Sequence, residues 1–189
     1  MRLPTLFISH GSPMLAIEDS PARRFLLKLG KTLPRPKAII VASAHWETMG
    51  GFAVSLASRP ETIHDFGGFP EALFEIQYPA QGAPDTAVRA AELLEQAGFT
   101  VKRSATRGLD HGAWVPLRLM YPDADIPAAQ VSLRSGASPA EHELMGKALR
   151  KLREDDILII VFTIRQPASR VRIISARTAN RKERRFYEG

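Results

Sequence analysis

The sequence contains no cysteine, which excludes disulfide bonds, thiolate metal ligands and cysteine nucleophiles. It has no apolar run near the roughly 18 residues of a membrane-spanning helix. Its first residues also lack the basic start and long apolar stretch of a secretory signal peptide. No internal repeat or low-complexity segment divides the 189 residues. These absences predict a single cytoplasmic domain with no membrane partner.

Most of the chain also lacks an excess of charge of either sign. Residues 1–160 contain 18 Lys and Arg against 18 Asp and Glu, whereas residues 161–189 contain 8 against 2. The net charge of +6 therefore belongs entirely to the C-terminal segment. A run of this kind is more often a solvated tail than a binding surface, so no nucleic-acid partner is expected.

Apolar runs alternate with helical patterns that begin at Ser or Asp followed by Pro, or that end at Gly. The runs predict strands at 5–8, 38–44, 52–57, 100–104, 127–133 and 157–162. The patterns predict helices at 21–29, 84–97, from about 113, and 139–153. Gly30 is expected to end the first helix, and His142 is expected to lie on the surface of the last. The alternation indicates a single α/β domain with a mostly parallel or mixed central sheet flanked by helices.

Four of the five histidines lie at predicted strand ends or in loops: His10, His45, His64 and His111. His10 and His45 each follow an apolar strand. Because the carboxyl ends of parallel strands meet at one edge of a sheet, these two imidazoles are expected to lie there together. Neutral imidazole is the commonest protein metal ligand, so the pair predicts a metal site. The alternative is that each histidine is hydrogen-bonded within the fold and has no chemical role.

A zinc hydrolase is another hypothesis, and it would need a third ligand and a general base near the metal. The acidic candidates in the predicted loops are Glu47, Asp65 and Asp110. No typical hydrolase spacing accompanies them. Ser12 is not a good nucleophile candidate either, since its surroundings do not match the G-x-S-x-G turn of serine hydrolases.

Four motifs together resemble the class III extradiol ring-cleavage dioxygenases. They are FISHGSPM, ASAHWET, TIHDFGGFP and GLDHGAWVPL, and they extend over roughly residues 3–160. The branch they resemble most is that of the DOPA 4,5-dioxygenase-like proteins, whose catalytic domain is of the protocatechuate 4,5-dioxygenase β-subunit type. The resemblance implies an enzyme that uses O₂ to open a catechol ring beside its two hydroxylated carbons.

The resemblance also implies roles for individual residues. His10 and His45 would be the metal ligands, with Fe(II) as the metal and Zn(II) as an alternative occupant. His111 would be the catalytic residue that takes and returns a proton. The residues implied to bind the substrate are His64, Phe66, Phe69 and Asp110.

The resemblance stops near the last predicted strand. Family members continue with a Gly-Ser-Gly turn and a His-Asn-Leu segment that contributes an active-site histidine, whereas this sequence has no histidine after His142. We therefore expect an extradiol dioxygenase-like domain at 1–162 that is incomplete at its C-terminal end, followed by a divergent basic tail at 163–189. The activity is expected to be impaired. The alternatives are an inactive metal-binding remnant and a partner-binding protein.

Overall fold

The computed structural model of this protein describes residues 2–9 and 11–163, and for Ser9, Phe162 and Thr163 it describes the backbone alone. Within these residues six strands form one sheet: β1 (Thr5–Ser9), β2 (Ala38–Thr48), β3 (Phe52–Ser55), β4 (Val101–Ser104), β5 (Ala128–Arg134) and β6 (Ile157–Thr163). Their spatial order is β1-β6-β2-β5-β3-β4. The first four of these strands are parallel, whereas β3 is antiparallel to β5 and parallel to β4. The prediction of a mixed sheet is confirmed.

Helices connect the strands, and two of the five described helices begin at capping residues seen in the sequence. They are α1 (Pro21–Thr32), α2 (Glu71–Phe74), α3 (Pro84–Gln96), α4 (His111–Met120) and α5 (Pro139–Leu149), with 3₁₀ turns at Pro13–Ala16 and Arg150–Asp155. Ser20 caps α1, and Ser138 forms a reciprocal capping box with Glu141 at the start of α5. Each cap satisfies backbone N–H groups that have no partner within the helix.

The sheet has a hydrophobic core on each face because alternate residues of a strand point to opposite sides. Ile39 and Val41 of β2 contribute to one core, together with residues of α1 and α4. Ile40 and Ala42 contribute to the other, together with residues of α3 and α5. Helices on both faces of a sheet define an α/β fold, as the sequence predicts.

Several local predictions are wrong, of which three bear on the packing of the sheet and helices. Helix α1 continues through Gly30 to Thr32, because this glycine lies where α1 meets α4 and a Cβ there would overlap the Met120 carbonyl. His142 is only 4% exposed and packs edge-on against the ring of Phe52 in the core beneath α5. Strand β2 runs to Thr48, beyond the predicted end at 44, because its pairing with β5 resumes after a bulge.

The register of the parallel strands defines the edge at which the site lies. Ser9, the last residue of β1, pairs with Thr163 of β6, and Ala42 of β2 pairs with Val161. The end of β1 and the segment of β2 after Ala42 therefore lie at the same carboxyl edge of the sheet. His10 and residues 164–189 of the predicted tail are outside the described residues. None of the helices within the described residues is long and apolar enough to cross a bilayer.

Candidate metal centre

His45 lies in the irregular part of β2. Regular pairing with β5 stops at Ala42 and resumes at Glu47, so the intervening backbone is not part of a regular ladder. The backbone N–H of His45 instead donates to Ser43 Oγ over 3.2 Å. The His45 side chain is 16% exposed, which leaves the imidazole within the edge of the fold but accessible from it.

His111 is the first residue of α4 and not a loop residue, contrary to the prediction that this helix begins near 113. The helix starts earlier because Asp110 acts as its N-cap and accepts the backbone N–H of Ala113. His111 is buried, and its ring centroid lies 3.9 Å from that of His45. The N-terminal end of α4 therefore places the His111 imidazole in contact with the His45 imidazole.

Asp65 links the two histidines from the loop at 62–70. Its Oδ1 accepts hydrogen bonds from Nδ1 of His111 over 2.8 Å and from the His111 backbone N–H over 2.9 Å. Its Oδ2 lies 3.6 Å from Nδ1 of His45. One carboxylate therefore touches both imidazoles and also holds the loop against the start of α4.

The donor atoms of these three residues fit a single metal ion. One ligand atom each from His45, Asp65 and His111 lie within 4.8 Å of one another. Donors that bind one ion at about 2.0–2.2 Å lie roughly 3–4 Å apart, so a small rotation of the side chains would bring all three onto the ion. Two histidines and one carboxylate form the donor set typical of non-haem Fe(II) oxygenases, which leaves further coordination positions open.

The electrostatics of the cluster favour an ionised Asp65 beside a neutral His45. Burial alone would raise the pKa of Asp65, but the hydrogen bonds from the ring and backbone of His111 outweigh it and lower that pKa to about 2. Burial also lowers the pKa of His45, and the neighbouring His111 lowers it further. Asp65 is therefore ionised and His45 resists protonation, which are the states that bind a metal cation.

Asp110 is fully buried next to this cluster. Its Oδ1 accepts from Ser43 Oγ over 2.7 Å and from the Ala113 N–H over 3.2 Å. Its Oδ2 accepts from Arg107 over 2.7 Å and from the Gln130 amide over 2.8 Å. Because a carboxylate offers about four lone-pair positions, these four donors use its capacity to accept hydrogen bonds.

An aromatic cluster adjoins the histidines on the side of the loop at 62–70. The ring of Phe66 lies at its centre, with centroid distances of 5.0–6.4 Å to five other rings, those of His64, Phe69, Phe74, His111 and Trp114. The hydrogen bonds that hold the loop include those from Trp114 Nε1 to the Ile63 carbonyl and between His64 Nε2 and the Ile76 carbonyl. Phe66 meets His111 edge-on, so an apolar wall borders the imidazole pair.

The structure thus brings together most of the residues selected from the sequence: His45, His64, Phe66, Phe69, Asp110 and His111. Their assigned roles, and the pairing of His10 with His45, stay predictions. Asp65 is one of the three acidic hydrolase candidates in the sequence, and another, Glu47, is exposed on β2. Ser43 and Gln130 are not among the residues selected from the sequence. The signal that could have found them is a polar residue inside a mainly apolar strand, Ser43 in β2 and Gln130 in β5, although β5 also contains Ser132.

Comparison with known proteins gives consistent results. The family model described as the catalytic LigB subunit of aromatic ring-opening dioxygenase matches residues 4–163. A 4,5-DOPA dioxygenase extradiol of Escherichia coli K12 is 50% identical over 159 residues, which are 84% of this chain and 58% of the relative. A protein of the same name from Beta vulgaris is 48% identical over 160 residues, which are 82% of this chain and 59% of the relative.

A solved structure supports the same relationship. The crystal structure of an uncharacterized protein from Escherichia coli K12 superposes with a TM-score of 0.69 at 41% identity, over 85% of this chain and 59% of the other. This chain spans 58–59% of the length of the two curated relatives described above. The match over residues 4–163 nevertheless covers most of the chain. The chain therefore belongs to the family of catalytic LigB subunits of aromatic ring-opening dioxygenases.

Proposed function

We propose that this chain contributes the metal-binding part of a non-haem Fe(II)-dependent extradiol dioxygenase site that opens a catechol-type ring with O₂. The observation that carries the proposal is the convergence of His45, Asp65 and His111 within 4.8 Å beside an aromatic wall. Family membership supports the reaction class, and a donor set of two histidines and one carboxylate, here His10, His45 and Asp65, supports iron over zinc. Zn(II) remains the alternative occupant of the same site.

In this proposal His45 and His10 are metal ligands. Asp65 provides a carboxylate oxygen, Oδ2, which lies close to Nδ1 of His45. When bound, the metal would supply a Lewis-acidic centre that lowers the pKa of the catechol hydroxyls. This lowering lets a neutral histidine accept a hydroxyl proton near neutral pH.

His111 is the residue proposed to move that proton, and in this proposal it is not a metal ligand, although its ring could reach the same ion. A carboxylate only accepts hydrogen bonds, so the contact with Asp65 assigns the proton of the neutral ring to Nδ1 of His111. Nε2 is then the basic nitrogen, which exchanges a proton with the substrate. Asp65 also stabilises the imidazolium that forms when Nε2 is protonated.

The aromatic cluster is proposed to position the substrate ring. Phe66 meets His111 edge-on, and His64 and Phe69 pack edge-on against Phe66; aromatic pairs favour such edge-to-face contacts. A catechol ring inserted here would exclude water from the imidazole pair. Asp110 was predicted to bind substrate, but its four protein donors favour a supporting role within the fold.

A second candidate is an inactive metal-binding remnant of the family. It is favoured by the sequence that follows the last predicted strand, because residues 163–189 contain no histidine where the resemblance implies an active-site histidine. In that case the ion would bind as described above, but no ring would be opened. The zinc-hydrolase and partner-binding hypotheses have no comparable support from the described residues.

The test is anaerobic loading with Fe(II), followed by addition of a catechol and air-saturated buffer. The measurements are bound metal, O₂ consumption and the absorbance of the yellow ring-opened product. Turnover that disappears in His45→Ala but survives in His142→Ala, which removes a buried imidazole elsewhere, would support the dioxygenase.

A chimera that adds the remaining segment of the Escherichia coli relative separates the two candidates. Stoichiometric metal without turnover in this chain, with turnover in the chimera, would support the remnant. Failure of both proteins to bind metal would overturn both candidates.

A further inference from the structure

We propose that Gln130 and Ser43 are positioning residues, which act through the buried carboxylate of Asp110 to hold His45 and His111 in register for metal binding. Neither residue touches the proposed metal position, and neither is one of the histidines in the four sequence motifs. The proposal rests on the proposed function in one respect, since it takes the His45–His111 pair to be part of a metal centre.

Gln130 holds Asp110 at two points. It lies on β5 and is fully buried. Its Oε1 accepts the backbone N–H of Asp110 over 3.0 Å, while its Nε2 donates to Asp110 Oδ2 over 2.8 Å. This paired contact fixes both the main chain and the side chain of the residue that precedes His111. The start of α4 is therefore held in a fixed position relative to β5, a central strand of the sheet.

Ser43 connects the same carboxylate to the strand that bears His45. Its hydroxyl has one proton, which it donates to Asp110 Oδ1 over 2.7 Å. The same oxygen accepts the backbone N–H of His45 over 3.2 Å. In this part of β2 the regular ladder with β5 is interrupted. The Ser43 hydroxyl therefore accepts the His45 backbone N–H in a segment where regular strand pairing with β5 is missing.

Arg107 balances the charge of this buried network. It pairs with Asp110 Oδ2, and its guanidinium lies 5.1 Å from the centroid of the Trp46 ring. A buried carboxylate without a cation would be costly, so this ion pair offsets the cost of burying Asp110 at the centre of the network. Because four protein groups donate hydrogen bonds to the Asp110 carboxylate, this carboxylate supports the site and has no lone pair left for a ligand.

The fit between β2 and α4 leaves little room for displacement. A Cβ on Gly112 would lie 2.6 Å from Ser43 Oγ, 2.8 Å from Cδ2 of His45 and 3.1 Å from Asp110 Oδ1. Metal sites tolerate errors of only about 0.5 Å in the placement of ligands. Loss of a hydrogen bond at Ser43 or Gln130 would relax this contact and shift the imidazoles relative to each other.

The experiment compares Ser43→Ala and Gln130→Met with a matched control, Ser132→Ala, in the full chain. Ser132 is also fully buried in the sheet, and its Oγ accepts the Ala53 N–H over 2.8 Å and contacts Thr48 Oγ1 at 2.7 Å. Its partners are outside the histidine cluster. The measurements are the anaerobic dissociation constant for Co(II), the visible spectrum of the bound Co(II), and the urea midpoint of the metal-free protein.

We expect Ser43→Ala and Gln130→Met to weaken Co(II) binding by about 10–100-fold, as loss of supporting residues does at other metal sites. The Co(II) spectrum should change in both variants. Ser132→Ala should lower the urea midpoint while leaving the affinity and the spectrum as in the unmodified chain. If Gln130→Met does not fold, Ser43→Ala decides, because it removes one oxygen and adds no atom.

Equal Co(II) affinity in the unmodified chain and in Ser43→Ala would overturn this proposal and leave the proposed metal centre intact. An equal loss of affinity in Ser132→Ala would also overturn it, because the effect would then follow stability and not position. Absence of Co(II) binding by the unmodified chain would overturn both this proposal and the metal centre.

Discussion

At the scale of single residues, Asp65 determines more of the site than its place in an exposed loop suggests. One of its oxygens accepts two hydrogen bonds from His111, and the other faces His45. The same carboxylate thus orients one imidazole, contributes negative charge for a cation and attaches the loop to α4. Few substitutions would leave all three functions intact.

The first prediction concerns this carboxylate. Asp65→Asn keeps the shape of the side chain but removes its charge, so we expect metal affinity to fall by about 10–100-fold or more. Isothermal titration with Co(II) or anaerobic Fe(II) measures it. Asp123→Asn, an exposed residue away from the cluster, is the control and should bind as the unmodified chain does. Equal affinities in the two variants would refute a metal-binding role for Asp65.

The second prediction concerns pH and the metal-free chain. Because burial lowers the pKa of His45 in the folded state, the unfolded chain takes up a proton first as the pH falls. The stability contributed by neutral His45 is therefore complete above the unfolded pKa of about 6.5 and declines as the pH falls below it. Urea unfolding at pH 8, 7, 6 and 5 should show a steeper loss for the unmodified chain than for His45→Gln. Parallel curves would contradict the expectation.

At the scale of elements, two close contacts of α4 depend on glycine. Gly112 allows the start of α4 to approach β2, and Gly30 allows α1 to cross near the end of α4. The two contacts lie at opposite ends of the same helix, and one is in the candidate site while the other is remote from it. Substitutions at the two positions can therefore distinguish loss of stability from loss of the site.

The third prediction is for Gly112→Ala. The added methyl would crowd Ser43 and His45, and overpacking of this kind costs about 1–3 kcal/mol. We expect the free energy of unfolding to fall by that amount and metal affinity to fall with it. Gly67→Ala provides the comparison, since a Cβ at that loop position meets nothing within 4 Å. An unchanged metal affinity in Gly112→Ala would contradict the close approach.

The fourth prediction is for Gly30→Ala. Helix propensity alone would make alanine more stable by about 1 kcal/mol, whereas overlap with the Met120 carbonyl costs about 1–3 kcal/mol or more. We expect the steric term to prevail, so urea unfolding should show a net loss of stability. Metal affinity should stay as in the unmodified chain. A variant more stable than the original would show that α1 can move away from α4 at little cost.

Several elements could be predicted from the sequence because their signals are local. Apolar runs located the six strands, and the Ser138–Glu141 capping box located α5. Positions that depend on contacts between distant segments could not be predicted. Gly30 has the local character of a helix end, but its contact with α4 keeps it inside a helix. His142 lies among charged neighbours in the sequence, but it packs against Phe52 in the fold. The burial of Asp110 and its contact with Gln130 depend on the strand order in the same way.

At the scale of the whole molecule, the candidate site is assembled from segments that are far apart in the chain. β2, the loop at 62–70 and α4 each contribute one residue of the cluster, and Gln130 of β5 holds the start of α4. In the unfolded chain these donors are not held together. Binding of an ion should therefore be coupled to the stability of the entire fold.

The fifth prediction follows from this coupling. A metal present at 100 times its dissociation constant should raise the free energy of unfolding by about 2.7 kcal/mol, if the unfolded chain does not bind it. Urea unfolding with and without Co(II) measures the increase. His45→Ala should lose most of it, whereas His142→Ala should keep it from a lower starting stability. The same increase in His45→Ala would place the bound ion elsewhere.

The order of strands in the sheet also constrains the order of events during synthesis. β2 is flanked by β5 and β6, and both of these strands follow it in the chain, with β6 ending at Thr163. On the ribosome β2 emerges long before either neighbour, so its backbone groups have no permanent strand partners until β5 and β6 have been translated. Capture of an ion by the nascent polypeptide should accordingly be a late event, which follows translation of β6 and does not guide the folding of what precedes it.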